Sequence, residues 1–270
     1  MQKQLHKIAL FICMVLLISC SDDDANTNGN SEARLIKKIT YNAYFGGEMP
    51  ELSYENVYHY EDNVLKSIVM SAPNQPDLFR SEYIYFGNKI TKVLYFERNQ
   101  TQPYAQSKFT YEGNFLKTIE NSQRHEKIEF LYQNGVISAK NVYMPEINGT
   151  VPEILSERYE YTFAGGNVIS EKRQENMGGI FYQYEDRSVF DGKNNPMKNM
   201  NPYYRLTYNS DGFQALSQNN YLSSDNYHFG NLSAEYVFEI EYNSENYPVR
   251  ISRFFKQTHG LVSQTDFEYL

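Results

Sequence analysis

Three carboxylates crowd one short stretch of this chain, Glu185, Asp186 and Asp191. Two carboxyls roughly 5–9 Å apart across a sugar can cleave a glycosidic bond. Several oxygen ligands at alternating positions can hold calcium. Asp191-Gly192-Lys193-Asn194-Asn195 offers Asp, Asn and Asn, but a lysine stands among them and no glutamate closes the loop at EF-hand spacing. Asp-Gly and Asn-Pro are ordinary turn dipeptides, so a turn is expected here. His59, His125, His228 and His259 lie too far apart in sequence to read as a metal set, and structural or solvent-facing roles are expected of them. There is no nucleophile elbow, zinc-protease helix motif, P-loop or dinucleotide fingerprint. The chain is therefore expected not to be an enzyme and to need no cofactor or metal. Its remaining resource is aromatic, with Tyr 25, Phe 17 and Trp 0. Tyrosine joins a stacking face to a hydroxyl, which suits sugar or peptide recognition and also fills half-buried strands. Tyr58 and Tyr60, Tyr83 and Tyr85, and Tyr159 and Tyr161 are each two apart and share a strand face, so they are the candidate ligand-face residues.

Cys20 is the residue with a defined covalent chemistry. Lys3, His6 and Lys7 precede a twelve-residue apolar run, Ile8 to Ser19. That run is shorter than the roughly 20 residues a spanning helix needs and fits a secretory h-region. It ends in Leu17-Ile18-Ser19-Cys20, which resembles the lipobox of bacterial lipoproteins. The resemblance implies cleavage before Cys20, a diacylglycerol thioether on its sulfur and acylation of its amine, with the membrane as partner through those chains. Residues 1–19 are thus expected to be a signal peptide, 20–33 an acidic flexible tether and 34–270 one domain. Ser21-Asp22-Asp23-Asp24 resembles the acidic export signal of Bacteroidota surface lipoproteins, which implies an outer-membrane protein facing the cell exterior. Loss of Lys3 and Lys7 leaves 23 basic against 33 acidic residues, a net charge of −10 that disfavours nucleic acid. Cys13 leaves with the signal, so the domain has no disulfide and no thiolate site.

The elements that must carry these groups are strands. One phrase of alternating aromatics, a short turn signal and branched apolar residues recurs at Val57–Met70, Tyr83–Phe96, Lys108–Asn121, Ile128–Tyr143, Tyr159–Arg173, Tyr204–Gln218 and Phe238–Phe255. Each copy predicts a β-hairpin. Tips are expected at Asp62-Asn63, Gly87-Asn88, Gly113-Asn114, Asn134-Gly135 and Asp211-Gly212, where the residue types tolerate positive φ. No stretch of the expected domain holds a 3.6-residue apolar period for long, so helix is expected to be scarce. The fold class is all-β: a long antiparallel meander, strongly curved into a closed or half-open barrel-like sheet, because open twisted sheets rarely exceed about ten strands. Charges such as Glu157-Arg158, Glu239 and Glu241 interrupt the apolar band that a membrane-spanning barrel needs.

The hairpin phrase is similar to the YD repeats of Rhs-type proteins. The architecture resembles a family of Bacteroidota cell-envelope lipoproteins of unknown function with a porin-like fold, over nearly the whole mature chain from Leu35-Ile36-Lys37-Lys38-Ile39. Tyr182-Gln183-Tyr184-Glu185-Asp186 and Asp191-Gly192-Lys193-Asn194-Asn195-Pro196 carry that likeness. It implies a fold and a place, not a chemistry. The expected function is a non-enzymatic binding or interaction module taking a glycan, peptide or envelope protein on its concave aromatic face or loops. The alternatives are a structural or accessory envelope protein with a protein partner, or a carbohydrate-active enzyme.

Overall fold

Tight hairpins form where the chain can adopt positive φ, and the turns follow that rule. In the computed structural model, which describes residues 34–44, 46–47, 49–145, 152–208 and 213–270, Asp62 and Asn63 have φ of 53° and 61°. Asn134 and Gly135 repeat that geometry, while Gly87 and Gly113 carry the positive φ of Gly-Asn tips. These turns join β2 (Leu52–Glu61) to β3 (Val64–Ala72), β4 (Gln75–Phe86) to β5 (Lys89–Glu97), β6 (Ala105–Glu112) to β7 (Phe115–Asn121), and β8 (Glu126–Gln133) to β9 (Val136–Pro145). Gly165-Gly166 joins β10 (Pro152–Ala164) to β11 (Asn167–Met177). β1 (Ile36–Ala43) opens the described sheet, and β12 (Ile180–Phe190), β13 (Tyr221–His228), β14 (Asn231–Tyr242), β15 (Pro248–Phe255) and β16 (Leu261–Tyr269) complete it. The expected signal segment, Cys20 and Ser21 to Asp24 lie outside the described residues.

Sixteen antiparallel strands, each beside its sequence neighbour, close into a barrel when β16 pairs with β1, with Tyr41 opposite Thr265 and Ile39 opposite Phe267. The expected curved meander is therefore fully closed. Six of the seven phrase copies are hairpins. In all six the ladder shifts register just before an aromatic near the turn, so that Tyr60 faces Leu65, Tyr85 faces Ile90, Tyr111 faces Leu116, Tyr132 faces Ile137, Phe163 faces Val168 and Tyr242 faces Pro248. A bulge of this kind sharpens local twist and bends the strand, which helps a long meander turn back on itself. Three of these tyrosines tie their hairpin to the preceding part of the sheet. The Tyr60 hydroxyl donates to the Ile36 carbonyl, Tyr111 to Ile90 and Tyr132 to Leu116. Tyr85 holds the equivalent position, but its buried hydroxyl has no partner. Tyr132→Phe should therefore cost about 1 kcal/mol, whereas Tyr85→Phe should be neutral or stabilising. Urea midpoints at unchanged slope would show the contrast, and equal losses would refute the clamp.

The seventh copy, Tyr204–Gln218, is a correction. It forms no hairpin, and Asp211-Gly212 lies outside the described residues. Asn201 instead caps a short helix, α1 (Pro202–Thr207), by accepting from the backbone N–H groups of Tyr203 and Tyr204, with proline at its start. The helix belongs to a plug, residues 191–208 and 213–220, that runs inside the barrel. A sixteen-stranded barrel is too wide for wall side chains to fill. Tyr204 meets Tyr58 and Tyr83 edge-on, Tyr203 meets Tyr111, and Phe213 packs on Phe267, so wall strands from separate parts of the sheet converge on the plug. Many of its polar groups bond within it. Fully buried Asn195 donates to the Gln214 and Asn219 carbonyls, and Arg205 donates to those of Ala215 and Ser217. Gly166 is required where the plug meets the wall: its φ is +77°, and a Cβ there would lie 2.5 Å from the Gln218 side chain.

Alternation sends charges outward. Lys38 bridges Glu55 and Glu268, Arg250 pairs with Asp266, Lys127 with Glu129, Arg158 with Glu160, and Arg187 with Glu185. A lysine or arginine at the mid-height of a lipid-facing wall costs about 2–4 kcal/mol. On this outer wall the ion pairs stand beside exposed apolar side chains such as Ile84, Leu131 and Ile169. No helix among the described residues is long and apolar enough to cross a membrane.

Candidate ligand site in the barrel lumen

The plug does not fill the barrel. Both ends of the described barrel chain lie at the plugged end, where Arg34 donates to the Leu270 carbonyl and Asn199 to that of Arg34. Beyond α1 a cavity of about 280 Å³ remains. Leu206 and Thr207 at the end of α1 form its floor, and Tyr104, Gln123 and Arg124, from the connections after β5 and β7, stand at its mouth. Its wall is built by alternation on β4 to β9. Tyr83 lies opposite Val93, Phe109 opposite Ile119, and Ile119 opposite Ile128, so one face of each strand supplies the lining. A second hollow, by Gln106, Lys108, Glu120 and His125, opens on the outer side of the same strands and is less enclosed.

The cavity is amphipathic. Val93, Phe109, Ile119 and Ile128 give it an apolar body, and Tyr83, Tyr95, Ser107 and Asn121 add polar points. Tyr95 and Ser107 share a hydrogen bond. Burial pushes the phenols of Tyr83 and Tyr95 above their usual value, so both are neutral donors at physiological pH. Two cations reach the space, Arg124 at the mouth and Lys140 deeper in. Lys140 occupies the inward row between Phe130 and Tyr159, with its ammonium 4.1 Å from the centre of the Tyr159 ring. Burial lowers its pKa, and the acids Glu171, Glu157 and Glu126 partly offset that. Burial likewise raises the Glu126 carboxyl.

The six tyrosines singled out in the sequence divide. Tyr83 lines the cavity, and Tyr159 supports Lys140 while donating to Glu157. Tyr58 is buried against the plug, sharing a hydrogen bond with Tyr204, and Tyr60 is a wall clamp. Tyr85 and Tyr161 pack against the core. The three crowded carboxylates do not converge. Glu185 bonds Ser170 and Arg187 on the outer side, Asp186 points inward and accepts from Asn226, and Asp191 accepts from the Lys193 and Asn220 N–H groups as a turn residue. Glu171 and Asp186 stand opposite each other, and burial raises both, but Gln214 of the plug donates to Glu171 and neither lines the cavity. No group of three or more metal-ligating side chains occurs among the described residues. His59 is exposed, and His228 stacks on Tyr184. Sequence reasoning missed Arg124, Lys140 and Glu126. The only signal for Lys140 was a lysine in an inward register position, visible once the hairpin was paired.

No family model matches the chain, and no curated relative matches its sequence. Among solved structures it is similar to a porin-like protein from Bacteroides uniformis ATCC 8492, at 7% identity and a TM-score of 0.56, over 87% of this chain and 98% of that one. A porin-like protein from Bacteroides vulgatus ATCC 8482 aligns at 12% identity and a TM-score of 0.51, over 88% and 99%. The likeness is one of fold, and it bears out the expected porin-like architecture.

Proposed function

We propose that this protein is a lipid-anchored outer-membrane lipoprotein whose barrel is a non-enzymatic binding module, taking a small molecule in its lumen. The observation that carries the reading is the 280 Å³ cavity left between the plug and the wall. A chain that folds a plug into one part of its lumen while leaving an amphipathic hollow beside it has the makings of a ligand pocket. The charged outer wall supports a barrel held at the membrane by a tether and not by its strands, and the lipobox supplies the anchor. Chain entry at the plugged end supports a mouth left clear of the anchor. The acidic residues after Cys20 support display at the exterior.

Ala105 tests the pocket. It lines the cavity on β6 and is almost fully buried. In Ala105→Trp the indole occupies much of the hollow, in a chain that otherwise has Trp 0. Wild type should bind the small neutral aromatic 1-naphthamide in equilibrium dialysis, and the variant should lose at least about tenfold in affinity. Overpacking of about 1–3 kcal/mol is expected in its thermal midpoint. A wild type that binds nothing up to roughly millimolar probe, or a folded variant that binds equally well, refutes the lumen site.

A further inference from the structure

The lumen cations set the chemistry of the ligand. Lys140 makes no ion pair within 4 Å and no hydrogen bond among the described residues, although it is largely enclosed. Lys127, which faces outward on the adjacent strand, bonds Glu129 at 2.6 Å. An ammonium has three donors and no acceptor, and leaving such a group desolvated without a partner is costly. The neighbouring acids do not supply the partner: Glu171 accepts from Gln214, and Glu157 accepts from Tyr159. The Tyr159 ring supports the charge from one side and offers no lone pair to its N–H groups. Arg124, at the mouth, also makes no side-chain hydrogen bond or ion pair among the described residues.

The rest of the lining narrows the choice. Val93, Phe109, Ile119, Ile128 and Leu206 would lose by facing a fully hydrated ion, so the ligand needs an apolar body. Glu126 shares the cavity with the two cations and opposes a second negative charge. The volume equals that of about nine waters at roughly 30 Å³ each, enough for a one- or two-ring compound. We infer that the lumen site takes a small monocarboxylate with an apolar body, its carboxylate on Lys140 with Arg124 guarding the mouth. This inference rests on the lumen reading above and adds the ligand's charge.

Two isosteric probes separate the claims, 1-naphthoate and neutral 1-naphthamide, dialysed against the full barrel. Wild type should prefer naphthoate by about tenfold or more. Lys140→Gln should remove that preference and leave naphthamide affinity within about twofold, while Lys140→Arg should keep it. Inorganic phosphate at equal concentration should not displace naphthoate. If wild type binds both probes alike, or if Lys140→Gln keeps the preference, the carboxylate inference fails while the lumen site stands. If phosphate displaces naphthoate, the need for an apolar body is wrong. If neither probe binds, the lumen site itself fails. Should Lys140→Gln not fold, Arg124→Gln at the exposed mouth serves instead, with naphthoate weakened about threefold or more and naphthamide unchanged; equal effects on both probes overturn the inference.

Discussion

Cys20→Ala should abolish acylation and leave the chain unprocessed or soluble. The motivation is the Leu17-Ile18-Ser19-Cys20 sequence at the end of a twelve-residue apolar run. With the thiol gone there is no thioether to form, and ion pairs interrupt the apolar band that a lipid-facing wall would need. One acyl chain of myristoyl length gives a binding constant of only about 10⁴ M⁻¹, so several chains on one residue make the difference between firm attachment and none. Labelling cells with a fatty-acid analogue checks this. Wild type should take up label, and the variant should not. A wild type without label overturns the anchor. Replacing Asp22, Asp23 and Asp24 with Asn in the same assay keeps length and polarity but removes three charges. That variant should stay acylated yet become protected from protease added to intact cells. If it is cleaved as readily as an accessible wild type, the acidic run is only a tether.

Phe213→Ala should be among the most destabilising single changes in the barrel. Phe213 is 0% exposed, stacked on Tyr208 and edge-on to Phe267. It joins the plug to β16, the strand whose pairing with β1 closes the sheet. Removing a buried phenyl ring costs about 3–5 kcal/mol, because the lost burial is compounded by a cavity the surroundings cannot close. For a domain of this size that is on the order of 10 °C in the thermal midpoint. Calorimetry should still show one transition, since plug and wall share one core. A melt unchanged from wild type would mean that the plug is a passenger in a barrel that is stable alone.

The wall was readable from particular residues. Asp62-Asn63 and Asn134-Gly135 announce turns by chemistry that acts within four residues, and the pairs Tyr58 and Tyr60, and Tyr83 and Tyr85, announce a shared face by a period of two. Both signals are local, so they survive without knowledge of the rest of the chain. The site was much less readable. Tyr83 was found because it belongs to an aromatic pair, but Lys140 and Arg124 sit 57 and 41 residues beyond it, on a strand and a turn with no shared motif. Their meeting depends on strand order and stagger across β4 to β9, which is a property of the whole sheet.

The same division runs through the protein. Sequence alone determined that the chain is a meander of hairpins, since alternation and turn residues leave a strand little choice of face or tip. It also carries the Cys20 motif, because a peptidase and an acyltransferase read residues rather than folds. Tertiary structure decided the rest. The phrase at Tyr204–Gln218 has the letters of a hairpin, yet its Asn201-Pro202 start and its place inside the barrel make it helix and plug. Whether β16 meets β1 depends on strand number, tilt and stagger together. A ring of sixteen strands is wider than its own side chains can fill, so the chain had to supply a plug, and where the plug stops the cavity begins.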